Sequence, residues 1–182
     1  MESFYFNRIK ELKKEKDELE RKLQVVITIT GKKVEIEGSA VNEYEAGIIL
    51  EAMQFGFSSK KALLLLNDDI IFKKVPIRSF TRRKDMKEVR GRVIGKQGKT
   101  KSTLEEISGC DILVNEEQNQ IGIIGSALEM DEATAAIEKL IRGSKQANVY
   151  RYLERMNAEK KKMDSDLGLK LKKKEEKKYS EE

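Results

Sequence analysis

Alternation of apolar and polar residues predicts two pairs of β-strands in the chain. A polar turn separates the strands of each pair, around Gly31 in the first and around Asn119 in the second. The alternating apolar positions are Val25, Ile27, Ile29, Val34 and Ile36 in the first pair, and Ile112, Val114, Ile121 and Ile123 in the second. Side chains spaced in this way lie on one face of a sheet. Each pair is therefore expected to cover a hydrophobic core with that face.

A helix is predicted after each strand pair, and another before it. Ser39 and Ser126 stand where a side chain can cap the following helix, and the apolar residues beyond them recur every three or four positions. The preceding helices are predicted over 7–23 and 99–107. The first has heptad-like spacing, but Lys16 at an inward position favours an amphipathic helix packed on its own sheet over a coiled coil.

The two strand–strand–helix segments resemble each other. Residues 24–57 and 111–144 align without a gap when shifted by 87 positions, and Gly38-Ser39-Ala40 falls on Gly125-Ser126-Ala127. Glu45-Ala46 likewise falls on Glu132-Ala133. This agreement favours a tandem duplication over chance similarity of two small β-β-α units.

Composition narrows the possible functions. The 182 residues include no His and one cysteine, Cys110, which excludes histidine-based catalysis, Cys/His zinc sites and an intramolecular disulfide. The longest purely apolar run is Ala62–Leu66, too short to cross a bilayer, and no apolar signal segment follows the first methionine. We expect a soluble cytoplasmic protein that needs no cofactor, binds no metal and has no membrane partner.

Charge is distributed unevenly along the chain. Residues 78–101 hold ten basic and two acidic side chains, whereas residues 102–141 hold one basic and nine acidic ones. A solvated surface explains many charge runs, but the basic stretch also contains Gly91, Gly95 and Gly98. A polyanion such as a nucleic acid is the expected partner of such a stretch.

The residues 93–100, VIGKQGKT, place a G-x-x-G turn between two predicted helices. Glycines let a sugar-phosphate chain approach the backbone, and the start of the next helix favours a phosphate. A plain connection between helices is the alternative. A nucleoside-triphosphate P-loop is disfavoured because Val93 stands where that motif needs glycine, and the dinucleotide motif G-x-G-x-x-G is absent.

The element order β-α-α-β-β-α with G-x-x-G between its first two helices resembles the type I KH domain, which clamps about four nucleotides of single-stranded nucleic acid. The resemblance implies an α+β fold with two tandem KH-like units. It places Ile94, Gly95, Lys96, Gln97, Gly98 and Lys99 in the clamp, and the neighbouring cations Arg90, Arg92 and Lys101 complete the predicted RNA-binding set. The resemblance also implies that the bases lie in a groove between the two paired helices and the next strand. Ile112 and Val114 on that strand either form the floor of this groove or belong to the core.

The first copy has no G-x-x-G, since the 87-residue shift places Arg8, Ile9, Lys10 and Glu11 there. It resembles a degenerate KH unit, and the chain is expected to begin too late to supply its first strand and most of its first helix. The predicted organisation is a degenerate unit over 1–66, a KH domain over 67–156 and a charged, disordered tail over 157–182. One nucleic-acid site is expected.

Tandem KH units with a silent first copy resemble the partner-of-Nob family of small-subunit assembly proteins. The matching segments are FGFSSKKALLLL (55–66), RGRVIGKQGKTKSTLEEISGCDI (90–112), IGIIGSALEMDEATAAIEKLIRGS (121–144) and VYRYLER (149–155). A related Krr-type factor also has a degenerate first KH unit, but KTK after the loop and the VYRYL segment favour partner-of-Nob. The resemblance implies binding near the 3′ end of small-subunit precursor rRNA and help in placing the endonuclease that trims it.

Two other classes of function compete with RNA binding. The acidic stretch and the silent first copy could dock a basic nuclease or a translation factor, with RNA binding secondary. Paired carboxylates, Glu105-Glu106 or Glu116-Glu117, could hold a metal in an enzyme, but adjacent side chains point in different directions and no third ligand is evident. We therefore expect no catalysis by this chain.

Overall fold

The computed structural model describes residues 2–180, with side chains described for 4–163 and at 165. Its strands are β1 (Glu2–Tyr5), β2 (Val26–Thr30), β3 (Lys33–Glu37), β4 (Ile70–Pro76), β5 (Asp111–Asn115) and β6 (Gln120–Ser126). Its α-helices are α1 (Ile9–Leu23), α2 (Ala40–Phe55), α3 (Ser59–Ala62), α4 (Met86–Ile94), α5 (Lys99–Ser108), α6 (Ala127–Arg142) and α7 (Gln146–Ser180). Short 3₁₀ turns cover Leu63–Leu66, Ile77–Ser79 and Lys96–Gly98.

The strands form two antiparallel three-stranded sheets of the same order. The first sheet is β1-β3-β2 and the second is β4-β6-β5. α1 and α2 cover one face of the first sheet with Leu12, Leu19 and Leu50, while α4 to α7 cover one face of the second. Ser39 and Ser126 cap α2 and α6, as the sequence predicts. The predicted α+β class with two KH-like units is confirmed.

The first unit contains an amino-terminal strand, contrary to the prediction. β1 pairs antiparallel with β3, with Glu2 opposite Ile36 and Tyr5 opposite Lys33. The unit therefore has the order β-α-β-β-α, and it lacks one helix relative to the second unit. A four-residue strand that pairs with a distant part of the chain has too few alternating positions for the sequence pattern to reveal it.

A repeated set of contacts confirms the similarity of the units and corrects its register. In each unit a helical glutamate pairs with a lysine one turn earlier and accepts a hydrogen bond from the backbone N–H of the next strand. The residues are Lys16, Glu20 and Ile27 in the first unit and Lys101, Glu105 and Ile112 in the second. These sets are 85 residues apart, not 87, because the turn between β5 and β6 is two residues longer than that between β2 and β3. The gapless alignment is thus wrong for the first strand of each pair.

Aromatic rings join the two units across the outer face of the second sheet. Phe72 of β4 lies edge-on to Phe55 and Phe57, with centroid distances of 5.7 and 5.8 Å. Gly122 of β6 lies directly beneath these rings, since a Cβ there would stand 2.5 Å from Phe55 Cε1. Ile124 of β6 is buried in the core of the first unit. The sheet face that carries no helices of its own is therefore covered by the first unit.

Helix α7 differs from the disordered tail that the sequence predicts over 157–182. The helix continues through residue 180, and residues 181–182 lie outside the described part of the chain. Asn157 Nδ2 donates to the Ile107 carbonyl (2.6 Å), and Lys160 Nζ donates to the Leu128 carbonyl (2.7 Å). Lysine and glutamate have good helix propensity, so a proline-free run of mixed charge continues a docked helix. Within residues 2–180, no helix has both the length and the hydrophobicity of a membrane span.

We predict that Gly122→Ala destabilises the protein by about 1–3 kcal/mol, because the added methyl group overlaps the Phe55 and Phe57 rings. Gly91→Ala is the matched control, since Gly91 lies in α4 with open space around it. Alanine there should raise stability by up to about 1 kcal/mol through helix propensity. Urea unfolding of both variants measures the difference, and an unchanged midpoint for Gly122→Ala would contradict the packing of the first unit on this face.

Candidate nucleic-acid interface

The turn between α4 and α5 contains three residues with positive φ. Gly95 has φ 76° and ψ 174°, Gln97 has φ 54°, and Gly98 has φ 76°. The Gly98 N–H donates to the Gly95 carbonyl at 3.2 Å, which closes the turn, and α5 begins at the next residue. The G-x-x-G turn that the sequence predicts therefore connects the two helices directly, and its middle residues, Lys96 and Gln97, are exposed.

The two glycines are needed for different reasons. Gly95 adopts a backbone conformation that is almost exclusive to glycine, and a Cβ there would stand 2.0 Å from Thr100 Oγ1 and 2.7 Å from the Thr100 nitrogen. Around Gly98 no atom lies within 4 Å of the place where a Cβ would be. Gly95 thus serves the packing of the turn, whereas Gly98 leaves an open approach to the backbone.

Cationic and polar side chains surround this open approach. Lys96, Gln97 and Lys99 are exposed. Among the described residues, Lys96 and Lys99 form no ion pair, so their charges are available to a ligand. Lys99 also begins the ten-residue helix α5, whose amino end carries a partial positive charge. The turn can therefore hold a phosphate chain by charge and by close backbone approach.

Arg90 connects α4 to the turn between β5 and β6. Its Nη1 donates to Asn119 Oδ1, its Nη2 lies 4.0 Å from Glu116 Oε2, and its side chain is only 15% exposed. A side chain held in this way is preorganised but partly neutralised. Arg90 therefore links α4 to the β5–β6 turn, and its contact with RNA stays a prediction.

The two predicted floor residues on β5 have different environments. Ile112 is 2% exposed and lies in the hydrophobic core, so its side chain cannot contact a base in this fold. Val114 is half-buried against the same core on the edge strand of the sheet. Ile94, the last residue of α4, is also half-buried beside the turn. Val114 and Ile94 remain candidates for apolar base contacts, and Ile112 does not.

Two of the predicted cations are not part of the turn surface. Lys101 pairs with Glu105 at 2.9 Å, and the silent first unit has the same pair, which indicates a structural role. Arg92 lies 3.5 Å from Glu88 and faces Gly143 at the end of α6. The structure therefore does not bring Lys101 and Arg92 together with Lys96 and Lys99.

The first unit has a continuous helix where the second has its turn. With the corrected 85-residue shift, Gly95–Gly98 correspond to Lys10–Lys13, which lie inside α1. Leu12 among them is fully buried, so this part of α1 serves the core. The first unit thus has neither the turn nor the second helix that a KH clamp requires.

Sequence reasoning missed the support of the turn by α7. Gln146, the first residue of α7, donates from Nε2 to Thr100 Oγ1 at 2.7 Å. Thr100 is buried and is the residue that packs against Gly95. The VYRYL segment contributes only to the family resemblance, and no local pattern reveals a hydrogen bond between residues 46 positions apart.

The described part of the chain shows the environments of the cysteine and of one of the paired carboxylates. Within this part of the chain, no cluster of three or more Cys, Asp or Glu residues could hold a metal ion. Cys110 is buried, and burial raises the pKa of its thiol to about 11, which leaves little thiolate at neutral pH. Glu105, one of the paired carboxylates, is engaged by Lys101 and by the Ile112 N–H.

Comparison with protein families and curated proteins identifies relatives with KH domains. Residues 71–158 match the family model for the second KH domain of PNO1, described as a eukaryotic type KH-domain (KH-domain type I). A KH domain-containing protein of Methanocaldococcus jannaschii is 31% identical over 130 residues, which cover 71% of this chain and 56% of that protein. The alignment thus spans little more than half the length of that curated relative.

Solved structures of similar chains cover nearly the whole fold. Dim2p from Pyrococcus horikoshii OT3 is 32% identical with a TM-score of 0.76, and the match covers 85% of this chain and 98% of that one. A chain in the crystal structure of an a/eIF2alpha–aDim2p–rRNA complex from the same organism is 32% identical with a TM-score of 0.77, over 87% and 94% of the two chains. A protein of unknown function from Aeropyrum pernix is 27% identical with a TM-score of 0.78, over 93% and 97%.

We predict that Gly95→Ala and Gly98→Ala differ sharply in stability. Alanine at Gly95 adds a steric overlap with Thr100 to backbone strain, and should cost about 3 kcal/mol or more. Alanine at Gly98 meets open space and carries only the strain of positive φ, about 1–2 kcal/mol. Urea unfolding of the two variants separates these values, and equal destabilisation would contradict the different roles assigned to the two glycines.

Proposed function

We propose a function for this chain on the premise that it belongs to the PNO1/Dim2 family of type I KH-domain proteins, an RNA-binding family of ribosome biogenesis. The match to the PNO1 family model and the similarity to Dim2p confirm the partner-of-Nob resemblance of the sequence. The proposed function is the binding of single-stranded RNA, specifically small-subunit rRNA near its 3′ end, during assembly of the small ribosomal subunit. The proposed place of action is the cytoplasm.

The single observation that carries this proposal is the open turn at Gly98. Lys96 and Lys99 lie beside it without ion-pair partners in the described part of the chain, and α5 directs its amino end towards it. The turn allows a sugar-phosphate chain to contact the protein backbone, while Ile94 and Val114 offer apolar surface to the bases. RNA held in this way is bound through its backbone first and its bases second.

The small-subunit rRNA is proposed because of the family and of one solved relative. That relative, aDim2p, was crystallised in a complex with a/eIF2alpha and rRNA. The 3′ end is proposed from the partner-of-Nob resemblance, in which RNA binding helps to place the trimming endonuclease. In this proposal the chain itself breaks no bond.

Partner proteins form the second element of the proposal. We propose that the chain contacts an rRNA-processing endonuclease or a translation factor while it holds RNA, and the relative's complex with a/eIF2alpha supports a translation factor. The alternative, a protein scaffold for which RNA is secondary, predicts that protein partners stay bound after the RNA is digested.

The test is crosslinking of the protein to total cellular RNA, with crosslinked positions mapped for the wild type and for Lys96→Asp/Gln97→Asp. The wild type should give crosslinks that cluster near the 3′ end of small-subunit rRNA, and the double variant should lose most of them because charge at the turn is reversed. Lys13→Asp/Lys14→Gln is the matched control, since it makes the same net charge change on the exposed side of α1.

Scattered crosslinks in the wild type would contradict the rRNA assignment. Crosslinks that persist in Lys96→Asp/Gln97→Asp would contradict the turn as the binding site. A thermal unfolding midpoint close to that of the wild type verifies that the double variant is folded.

A further inference from the structure

Two arginines of the basic stretch, Arg83 and Arg92, lie on the other side of α4 from the groove between α4, α5 and β5. Arg90 reaches the β5–β6 turn, whereas Arg92, two residues later and about 200° around the helix, faces the end of α6. Gly143, with φ 110°, allows this approach, because a Cβ there would stand 3.3 Å from Arg92 Nη1 and 3.5 Å from Arg83 Nη2. The G-x-x-G turn therefore does not account for this part of the charge.

Two cations of α6 lie over aromatic rings of neighbouring segments. Arg142 lies 5.7 Å from the centroid of Phe80, which precedes α4, and Lys139 lies 4.8 Å from the centroid of Tyr152 on α7. Lys139 and Arg142 are one turn apart and share a face of the helix. The two contacts therefore line up along the outside of α6 and hold the cations in place.

Shallow depressions extend this line at both ends. One, of about 350 Å³, is bordered by residues 78–82 and by Arg142. The other, of about 370 Å³, is bordered by Asn148, Arg151, Tyr152 and Arg155 of α7. We define the basic strip as Phe80, Arg82, Lys139, Arg142, Tyr152 and Arg155. It crosses three segments of the second unit, a length that suits an extended ligand.

Acidic side chains neutralise the basic strip only weakly. Glu138 lies 3.8 Å from Arg142 and Glu159 lies 3.7 Å from Arg155, and both arginine side chains are more than 60% exposed. Exposed i,i+4 pairs of this kind contribute about 0.3–0.5 kcal/mol, so a phosphate can displace them at little cost. Arg82 and Lys139 form no ion pair among the described residues.

We propose that the basic strip binds the phosphate backbone of an RNA segment outside the α4–α5 groove. This proposal rests on the proposed function, in which the turn holds about four nucleotides of the same RNA. Guanidinium groups suit phosphate oxygens, and both rings are already in contact with cations, so the strip offers charge rather than free rings for base stacking. Binding at the strip is therefore independent of RNA sequence, and it adds affinity only for RNA long enough to leave the groove.

The test compares a short and a long RNA on the full chain. A hexauridylate is short enough for the groove alone, and an oligouridylate of about 24 nucleotides can reach the basic strip as well. The strip variant is Arg82→Gln/Arg142→Gln/Arg155→Gln. Its control is Lys10→Gln/Lys13→Gln/Lys14→Gln, which removes the same number of exposed charges from α1.

The strip variant should bind the hexauridylate like the wild type and the long RNA about tenfold more weakly, and the slope of log affinity against log salt should fall by about 2. The control should resemble the wild type with both RNAs. Unchanged long-RNA affinity in the strip variant, or an equal loss for both RNAs, would overturn the proposal. If polyglutamate displaces the long RNA from the strip as effectively as a competing RNA of equal charge does, the proposal is also overturned, in favour of an acidic protein partner.

Failure of the proposed function gives a different result. If Lys96→Asp/Gln97→Asp binds the hexauridylate like the wild type, the turn is not the clamp. The basic strip is still judged separately by the long RNA and the strip variant. Thermal unfolding of each variant confirms that the comparisons are made between folded proteins.

Discussion

The contact between Gly95 and Thr100 is the constraint on which the candidate interface depends. Thr100 occupies the space where any other residue at position 95 would place its side chain. This close packing allows α4 and α5 to meet in a turn of four residues, 95–98, in which Lys96 and Gln97 are exposed. The Gln146 side chain donates a hydrogen bond to Thr100. Helix α7 therefore supports the turn, although it lies outside the β-α-α-β-β-α unit.

The two units separate the requirements of the fold from those of binding. Both have a helical glutamate that bonds to the next strand, and both have the same sheet order. Only the second has two helices joined by an open turn, while α1 of the first buries Leu12 at the corresponding place. The first unit instead covers the outer face of the second sheet through Phe55 and Phe57. In the described structure the first unit therefore packs against the second sheet and buries its outer face.

Local patterns in the sequence predicted most of the fold and the turn itself. The start of α5 and the caps Ser39 and Ser126 follow from residue periodicity and side-chain chemistry. What the sequence could not supply depends on contacts between distant residues. β1 is defined only by its pairing with β3, and the direction of Arg92 only by the position of α6. The difference in burial between Ile112 and Val114 depends on the packing of the whole core. The helical continuation of α7 likewise depends partly on contacts with Ile107 and Leu128 that composition does not reveal.

The second unit alone is expected to clamp RNA, at the turn between α4 and α5. The most direct measurement is the change in backbone amide resonances on titration with a short single-stranded RNA. We predict the largest changes over 94–99 and at Val114, with resonances of Lys10–Lys13 in α1 unaffected. Changes centred on α1, or spread evenly over both units, would contradict a single clamp in the second unit.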